Sequence, residues 1–173
     1  MMIRDAAPQD LPAITVVYAH HVLTGMGTFE ETPPDAAEMA ERLAKVQNTG
    51  CAWLVAEHEG VILGYGYHAQ IRDRSAYRFT AEDSIDVRDD VRGMGVGKAL
   101  VLALLEHATQ RGFRQMIAVI GDSENVGSIG LHSSLGFRNI GTMKAVGLKF
   151  GQWVDVVTMQ RALGEGERSL PCV

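Results

Sequence analysis

The chain has 173 residues, of which 46% are hydrophobic, and 16 Lys and Arg against 21 Asp and Glu give a formal net charge of -5. This length suits one domain with a single core, and the acidic balance disfavours a nucleic-acid partner. The longest apolar run, residues 99–105, is too short to span a bilayer, and residues 1–9 do not resemble a secretory signal. We therefore expect a cytoplasmic protein without a membrane partner. Two cysteines, Cys51 and Cys172, make neither a disulfide framework nor a metal cluster, and we expect no metal.

The first half of the chain predicts three strands and two helices. Residues 2–4 predict a short opening strand, and an apolar periodicity then predicts a helix that ends near Gly25. A loop containing glycine and proline precedes a second helix, which begins near Asp35. Residues 53–57 and 61–69 flank a tight turn and predict an antiparallel hairpin.

The second half predicts a strand, two helices and three further strands. In the strand over residues 79–87, mostly apolar side chains occupy the odd positions, so Glu82 points to the opposite face. A glycine-rich turn leads into a helix closed by Gly112, and residues 116–120 predict a buried strand. Asn125 or Ser123 caps a helix that runs through Leu135. Residues 140–146 and 154–160 predict the last two strands, so residues 1–163 form one domain and 164–173 a tail.

The glycine-rich turn carries the strongest functional signal. Glycines at alternate positions between a strand and a helix let backbone N–H groups converge on one point, which suits a pyrophosphate. The spacing fits neither the P-loop nor the dinucleotide fingerprint, and a plain strand-to-helix turn would also explain the glycines. The residues of this turn are Arg92, Gly93, Met94, Gly95, Val96, Gly97 and Lys98.

An arginine three residues before Gly95, followed by Gly97, forms an R-x-x-G-x-G pattern that resembles the coenzyme A grip of the GCN5-related N-acetyltransferases. Segments along nearly the whole chain, in order, resemble the phosphinothricin and methionine sulfoximine acetyltransferases: T-F-E at 28–30, R-F-T-A-E-D-S at 78–84, E-N-V-G-S-I at 124–129, L-H-S-S-L-G-F at 131–137 and V-G-x-K-F-G-x-W-x-D-V at 146–156. The resemblance implies a mixed α/β fold with a largely antiparallel twisted sheet flanked by helices. It also implies acetyl-CoA as cosubstrate, acetylation of the α-amino group of a small amino-acid analogue, and a homodimer.

The resemblance assigns Glu82 the role of general base for the attacking amine, although a solvated strand carboxylate would look the same in the sequence. Backbone N–H groups near Ile85 and Val87, where the strand should splay to admit the pantetheine arm, would polarise the thioester carbonyl. Asn125 and Ser128 resemble the family's contacts to the same arm.

His132 has two interpretations. A tyrosine often stands at this place in the wider superfamily and protonates the departing sulfur, and a histidine can donate a proton at neutral pH. Alternatively, His132 is a hydrogen-bonded structural residue packed behind the coenzyme. Two departures from the family pattern, Asp86 in place of a tyrosine and Ser133 in place of a glutamate, bear on the acceptor pocket.

An excess of positive charge precedes Glu82 and suits the carboxylate of an amino acid, because guanidinium groups bind carboxylates in bidentate fashion. A solvated loop is the alternative interpretation. The predicted acceptor-binding residues are Phe29, Glu30, Arg72, Arg74, Tyr77 and Arg78. Two other functions compete: acetylation of a different amine, such as a protein N-terminus, an aminoglycoside or a polyamine, and a non-catalytic acyl-CoA sensor.

Overall fold

A computed structural model describes residues 1–171; Cys172, expected to take part in neither a disulfide framework nor a metal cluster, lies outside the described residues. The strands are β1 (Met2–Asp5), β2 (Trp53–His58), β3 (Val61–Gln70), β4 (Thr80–Val87), β5 (Gln115–Gly121), β6 (Arg138–Lys149) and β7 (Gln152–Ala162). The α-helices are α1 (Leu11–Thr24), α2 (Ala36–Asn48), α3 (Val96–Gln110) and α4 (Val126–Ser134). The predicted elements are all present, with bounds that differ by a few residues.

The seven strands form one sheet in the order β1-β2-β3-β4-β5-β7-β6. The β4–β5 pair is parallel, and the other five neighbouring pairs are antiparallel. The predicted mixed, largely antiparallel α/β fold is thus confirmed. A parallel pair needs a crossover connection, which α3 provides.

Helices cover both faces of the sheet. On one face α1 and α2 bury an apolar stripe that includes Ile14, Met39 and Leu43 against Trp53 of β2. The α2 stripe has helical spacing, and the helix begins where the Asp35 carboxylate accepts a hydrogen bond of 2.8 Å from the Glu38 N–H. The opposite face is covered by α3, whose buried residues extend over more than one stripe because this helix lies across the sheet centre.

The parallel pairing of β4 and β5 ends before the strands do. Paired positions run from Thr80 and Gln115 to Asp83 and Ala118, whereas β4 continues to Val87 and β5 to Gly121. The strands therefore separate at their carboxyl ends and open a gap in the sheet.

Cys51 is buried and free. Among residues 1–171 no helix is long and apolar enough to cross a membrane.

Candidate active site

A cleft of about 1300 Å³ occupies the gap between β4 and β5. Its walls are the separated strand ends, the loop after α1, the glycine-rich turn before α3 and the first half of α4. Elements distant in sequence therefore meet at one place, which is the carboxyl end of the only parallel strand pair among the described residues.

Two backbone N–H groups of β4 point into this gap. His68 of β3 donates its backbone N–H to Ala52 of β2, so by strand alternation the peptide groups of Tyr65 and Tyr67 face β4. Those groups pair with Ser84 and Asp86, which leaves Ile85 and Val87 directed away from β3 and towards the cleft. The splayed strand predicted at these two residues is therefore present.

The glycine-rich turn lies at one end of the cleft. Gly93 and Gly95 have φ values of +78° and +83°, a left-handed conformation that disfavours residues with a Cβ. Gly95 is the N-cap of α3, and residues 95–98 line the cleft. The unpaired N–H groups of the first helical turn therefore lie at the cleft wall. Arg92 also lines the cleft and forms an ion pair with Asp89, whereas the Met94 side chain is exposed.

The loop after α1 closes the opposite side of the cleft and is held by close packing. A Cβ on Gly121 of β5 would lie 2.6 Å from the Met26 carbonyl oxygen, and one on Gly147 of β6 would lie 2.4 Å from the Phe29 ring. The buried ammonium group of Lys149 donates a hydrogen bond of 2.8 Å to the Thr28 carbonyl oxygen. This loop is thus fixed by β5 and β6, and Phe29 lines the cleft.

His132 of α4 forms a buried ion pair at the base of the cleft. Its Nε2 lies 3.0 Å from Oδ2 of Asp83, and its Nδ1 donates to the Ser128 carbonyl oxygen at 2.8 Å. Burial opposes a charge here, but the hydrogen bond and the charge of Asp83 outweigh it and raise the pKa of His132. Both nitrogens therefore carry protons in this arrangement, and both protons are already donated to protein acceptors.

Asp86 lies on the other face of β4 and also lines the cleft. Its carboxylate accepts a hydrogen bond of 2.8 Å from the Tyr65 hydroxyl, and burial raises its pKa. His21 of α1 reaches the same strand, where its Nε2 lies 2.8 Å from the Val87 carbonyl oxygen. Asp86, which stands where the family often has a tyrosine, thus places a second carboxylate in the site besides Asp83. Ser133, which stands where many members have a glutamate, lies at an exposed position of α4.

Glu82 lies on the same face of β4 as Ser84 and Asp86, four residues before Asp86. Burial raises its pKa, the charge of Asp83 adds to that rise, and the charge of Arg72 opposes it. Glu82 is half-buried and, unlike Asp83 and Ser84 that follow it, is not among the residues that line the cleft. Its polar-face position matches the prediction from strand alternation.

The predicted acceptor residues are more dispersed. Arg72, Arg74 and Tyr77 are exposed on the β3–β4 loop. Arg78 lines a second cavity of about 560 Å³ between α2 and the sheet. Glu30 binds the Arg42 guanidinium and the Tyr18 hydroxyl, and this pairing with Arg42 lowers its pKa.

The comparisons with known proteins assign the family. Residues 16–137 match the family model described as the acetyltransferase (GNAT) family. The chain belongs to the GNAT acetyltransferase family. This confirms the resemblance drawn from the sequence and the predicted class of enzyme.

Relatives of this GNAT chain cover nearly its whole length. It is 51% identical over 169 residues to a phosphinothricin N-acetyltransferase of Alcaligenes faecalis, covering 98% of this chain and 86% of that one. It is 41% identical over 170 residues to an L-methionine sulfoximine/L-methionine sulfone acetyltransferase of Pseudomonas aeruginosa, covering 98% of each. A crystal structure of a phosphinothricin acetyltransferase from Sinorhizobium meliloti in complex with acetyl-CoA superposes with a TM-score of 0.96 at 48% identity, covering 99% of this chain and 92% of that one.

Within this GNAT fold, most predicted cofactor-binding residues meet in the cleft, namely Ile85, Val87, Arg92, Gly93, Gly95, Val96, Gly97, Lys98, Asn125 and Ser128. The Asn125 side chain also caps α4 by accepting a hydrogen bond of 3.1 Å from the Ser128 N–H. Sequence reasoning missed the Asp83–His132 pair. The available signal was a carboxylate at an odd, otherwise apolar position of the strand, because a buried acid requires a partner.

Proposed function

We propose that this GNAT protein transfers the acetyl group of acetyl-CoA to the α-amino group of a small amino acid or analogue of the phosphinothricin, methionine sulfoximine or methionine sulfone type. The cleft between β4 and β5 carries this proposal, because unpaired strand backbone leads to a glycine-rich helix start. Relatives with the matching acetyltransferase names share nearly the whole length of the chain and support it.

We expect acetyl-CoA to bind along the length of the cleft. The glycine-rich turn would hold the pyrophosphate by its N–H groups and the positive end of α3, and Lys98 adds a cation at the lining. The N–H groups of Ile85 and Val87 would pair with the amide-containing arm as a neighbouring strand would. Acetyl-CoA supplies an acyl group already activated as a thioester.

Glu82 is the proposed general base, since an ammonium cannot attack and must lose a proton. Burial raises the pKa of its carboxyl group, which improves its match to an amine near neutral pH. About 13 Å of strand separates Glu82 from Asp86 at 3.3 Å per residue, so the two carboxylates cannot serve the same atom. Ser84 lies between them on the same face.

Paired substitutions on one strand face test this assignment. Glu82→Gln should lower kcat at least tenfold with a small effect on acetyl-CoA affinity, and the loss should shrink at high pH, where free amine forms without a base. Asp86→Asn keeps the Tyr65 contact and is the matched control. A larger loss of kcat in Asp86→Asn than in Glu82→Gln would transfer the role to Asp86.

His132 is proposed to stabilise the departing thiolate as a fixed positive charge. Its protons are already donated to Asp83 and to the Ser128 carbonyl, so the charge of the imidazolium, rather than a free N–H, is what it offers to the cleft. His132→Gln should therefore lower kcat more than it raises the KM for acetyl-CoA, as steady-state kinetics would measure.

The acceptor carboxylate is proposed to bind near the β3–β4 loop, because the charge of Arg72 acts on Glu82 and these two groups are therefore neighbours. Methylating the carboxylate of methionine sulfoximine should reduce kcat/KM about ten- to a hundredfold, which corresponds to the loss of one charge-assisted hydrogen bond. Equal turnover of acid and ester, after correction for amine pKa, would refute the amino-acid acceptor.

A homodimer is proposed through the outer sheet edge. Strand β6 is the last strand of the sheet, and the segment from β6 into β7 exposes an apolar surface. The exposed fractions are between 48% and 69% for Ile140, Met143, Val146, Leu148, Phe150 and Trp153. Trp153→Glu should produce monomers in light scattering, while Leu102→Glu, on an exposed position of α3, should leave the mass unchanged.

One screen tests the reaction itself. Thiol release from acetyl-CoA is followed with free amino acids, phosphinothricin, methionine sulfoximine and methionine sulfone, and in parallel with a polyamine, an aminoglycoside and an N-terminal peptide. The proposal expects turnover in the first group only. Turnover in the second group would identify another amine acceptor, and binding of acetyl-CoA without any turnover would identify an acyl-CoA sensor.

A further inference from the structure

Two buried polar atoms on neighbouring strands have no hydrogen-bond partner among the described residues. They are Nδ1 of His68 on β3 and Oδ1 of Asp83 on β4. Their residues are 0% and 6% exposed, so bulk water does not satisfy these atoms. Each such group costs about 1–3 kcal/mol when left unpaired, and so both atoms require an explanation.

The two residues face each other across the β3–β4 ladder. His68 is registered directly with Asp83, and both side chains lie on the face covered by α3. Because the flanking positions Tyr67 and Ser84 form the hydrogen-bonded pair, His68 and Asp83 are a non-hydrogen-bonded pair, in which side chains approach most closely. The two unpaired atoms therefore belong to side chains that are direct cross-strand neighbours on one buried face.

The surrounding hydrogen bonds determine where His68 carries its proton. The Ala52 backbone N–H donates to Nε2 of His68 at 3.4 Å, and Nδ1 of His107 lies 2.9 Å from the same nitrogen. Nε2 is therefore an acceptor, and His107 donates to it. Burial, with the nearby charges of His107 and Arg111, lowers the pKa of His68 to about 4, so the ring is neutral and its single proton is on Nδ1.

The unpaired atom of His68 is thus a donor, and the unpaired atom of Asp83 is an acceptor. We propose that His68 is a positioning residue for His132: its Nδ1–H binds Oδ1 of Asp83 through one buried water, and this bond orients the carboxylate that holds His132. With this water, a continuous chain of hydrogen bonds connects His107 to His132 through His68 and Asp83. The water would have one donor and one acceptor, which is the lower end of the two to four polar partners that buried waters have.

This bond fixes how strongly Asp83 holds the proton of His132. A donor on Oδ1 stabilises negative charge on the carboxylate, so the carboxylate competes less for the proton that it shares through Oδ2. Removing the donor makes the shared proton harder to lose. Three other charged groups lie near this hydrogen-bond chain. Asp5 of β1 and Arg111 shift the pKa of His107 in opposite directions, and Glu82 lies next to Asp83 on the opposite face of β4. The importance of His132 for turnover rests on the proposed function, but the hydrogen-bond chain does not.

Two amide substitutions of His68 separate its two nitrogens. Asparagine places an N–H near the Nδ1 position and keeps the bond towards Asp83, whereas glutamine places its amide near the Nε2 position and loses that bond. The titration of His132 is measured by NMR on the full-length protein without acetyl-CoA. His68→Gln should raise the pH at which His132 loses its proton by about 0.5–1 pH unit, His68→Asn should change it by less than about 0.2, and Asp83→Asn should lower it.

An equal effect of His68→Gln and His68→Asn, or none from either, would overturn the proposal. If a variant does not fold, the nitrogen-15 spectrum of the unmodified protein decides alone: a proton on Nδ1 of His68 supports the chain, and a proton on Nε2 refutes it. The expected titration in a protein without turnover would refute the proposed function and leave this inference standing.

Discussion

Gly95 offers a direct test of where acetyl-CoA binds. It is the N-cap of α3 with φ +83°, and a Cβ added there meets no atom within 4 Å. An alanine at this position is strained only by its backbone conformation, which costs about 1–2 kcal/mol and is partly offset by the lower entropy of the unfolded chain. The expected net destabilisation is about 1 kcal/mol, or about 2–4 °C in Tm for a chain of this size.

The effect on binding should be larger than the effect on stability. A methyl group at Gly95 would fill open space at the turn where the pyrophosphate is proposed to bind, and loss of one hydrogen bond to a charged group costs about 1.5–3 kcal/mol. The Kd for acetyl-CoA in calorimetry should therefore rise about ten- to a hundredfold in Gly95→Ala.

Gly112 provides a matched control. Its φ is +86°, an added Cβ again meets nothing within 4 Å, and it follows the other end of α3. At 1.5 Å per residue the two glycines lie about 25 Å apart. Gly112→Ala should lower Tm as Gly95→Ala does and leave the Kd unchanged. An equal change in Kd for both variants, or none for Gly95→Ala, would show that the turn is not the pyrophosphate site.

Two further predictions concern the ion pair and the loop after α1. The pKa of His132 is raised above its unfolded value of about 6.5, so the stability it contributes is present in full below that pH and is lost as the pH rises through the folded pKa. Asp83→Asn should therefore reduce the free energy of unfolding by about 2 kcal/mol more at pH 5.5 than at pH 9 in urea titrations, and a pH-independent loss would contradict the ion pair. Gly147→Val should displace the Phe29 ring and raise the KM of the acceptor without changing the affinity for acetyl-CoA. Gly141→Val, where an added Cβ meets nothing within 4 Å, should leave the kinetics unchanged. Equal kinetics of the two variants would argue against a role of the ring in acceptor binding.

Local sequence patterns were sufficient to predict the order and type of the elements. Helical spacing and the Asp35 cap define α2, and period-two alternation put Glu82 and the apolar positions of β4 on opposite faces. The glycine turn was also visible, because its alternate glycines have a local conformational cause. These features depend on residues within one or two turns of each other, which is the range over which a sequence can be interpreted directly.

Tertiary structure alone decided what the site contains. The strands β4 and β5 separate where their hydrogen-bonded pairing ends, and a whole helix lies between them in the sequence. A local sequence pattern therefore cannot predict the position of this separation. The same applies to the Asp83–His132 pair, 49 positions apart, and to the approach of Phe29 to Gly147. Conversely, the arginine-rich segment was conspicuous in the sequence, yet Arg72 and Arg74 are exposed and Arg78 lines a different cavity from the cleft. Sequence proximity to Glu82 did not place the three arginines in one pocket: the charge of Arg72 acts on Glu82, whereas Arg74 is exposed and Arg78 lies at the second cavity.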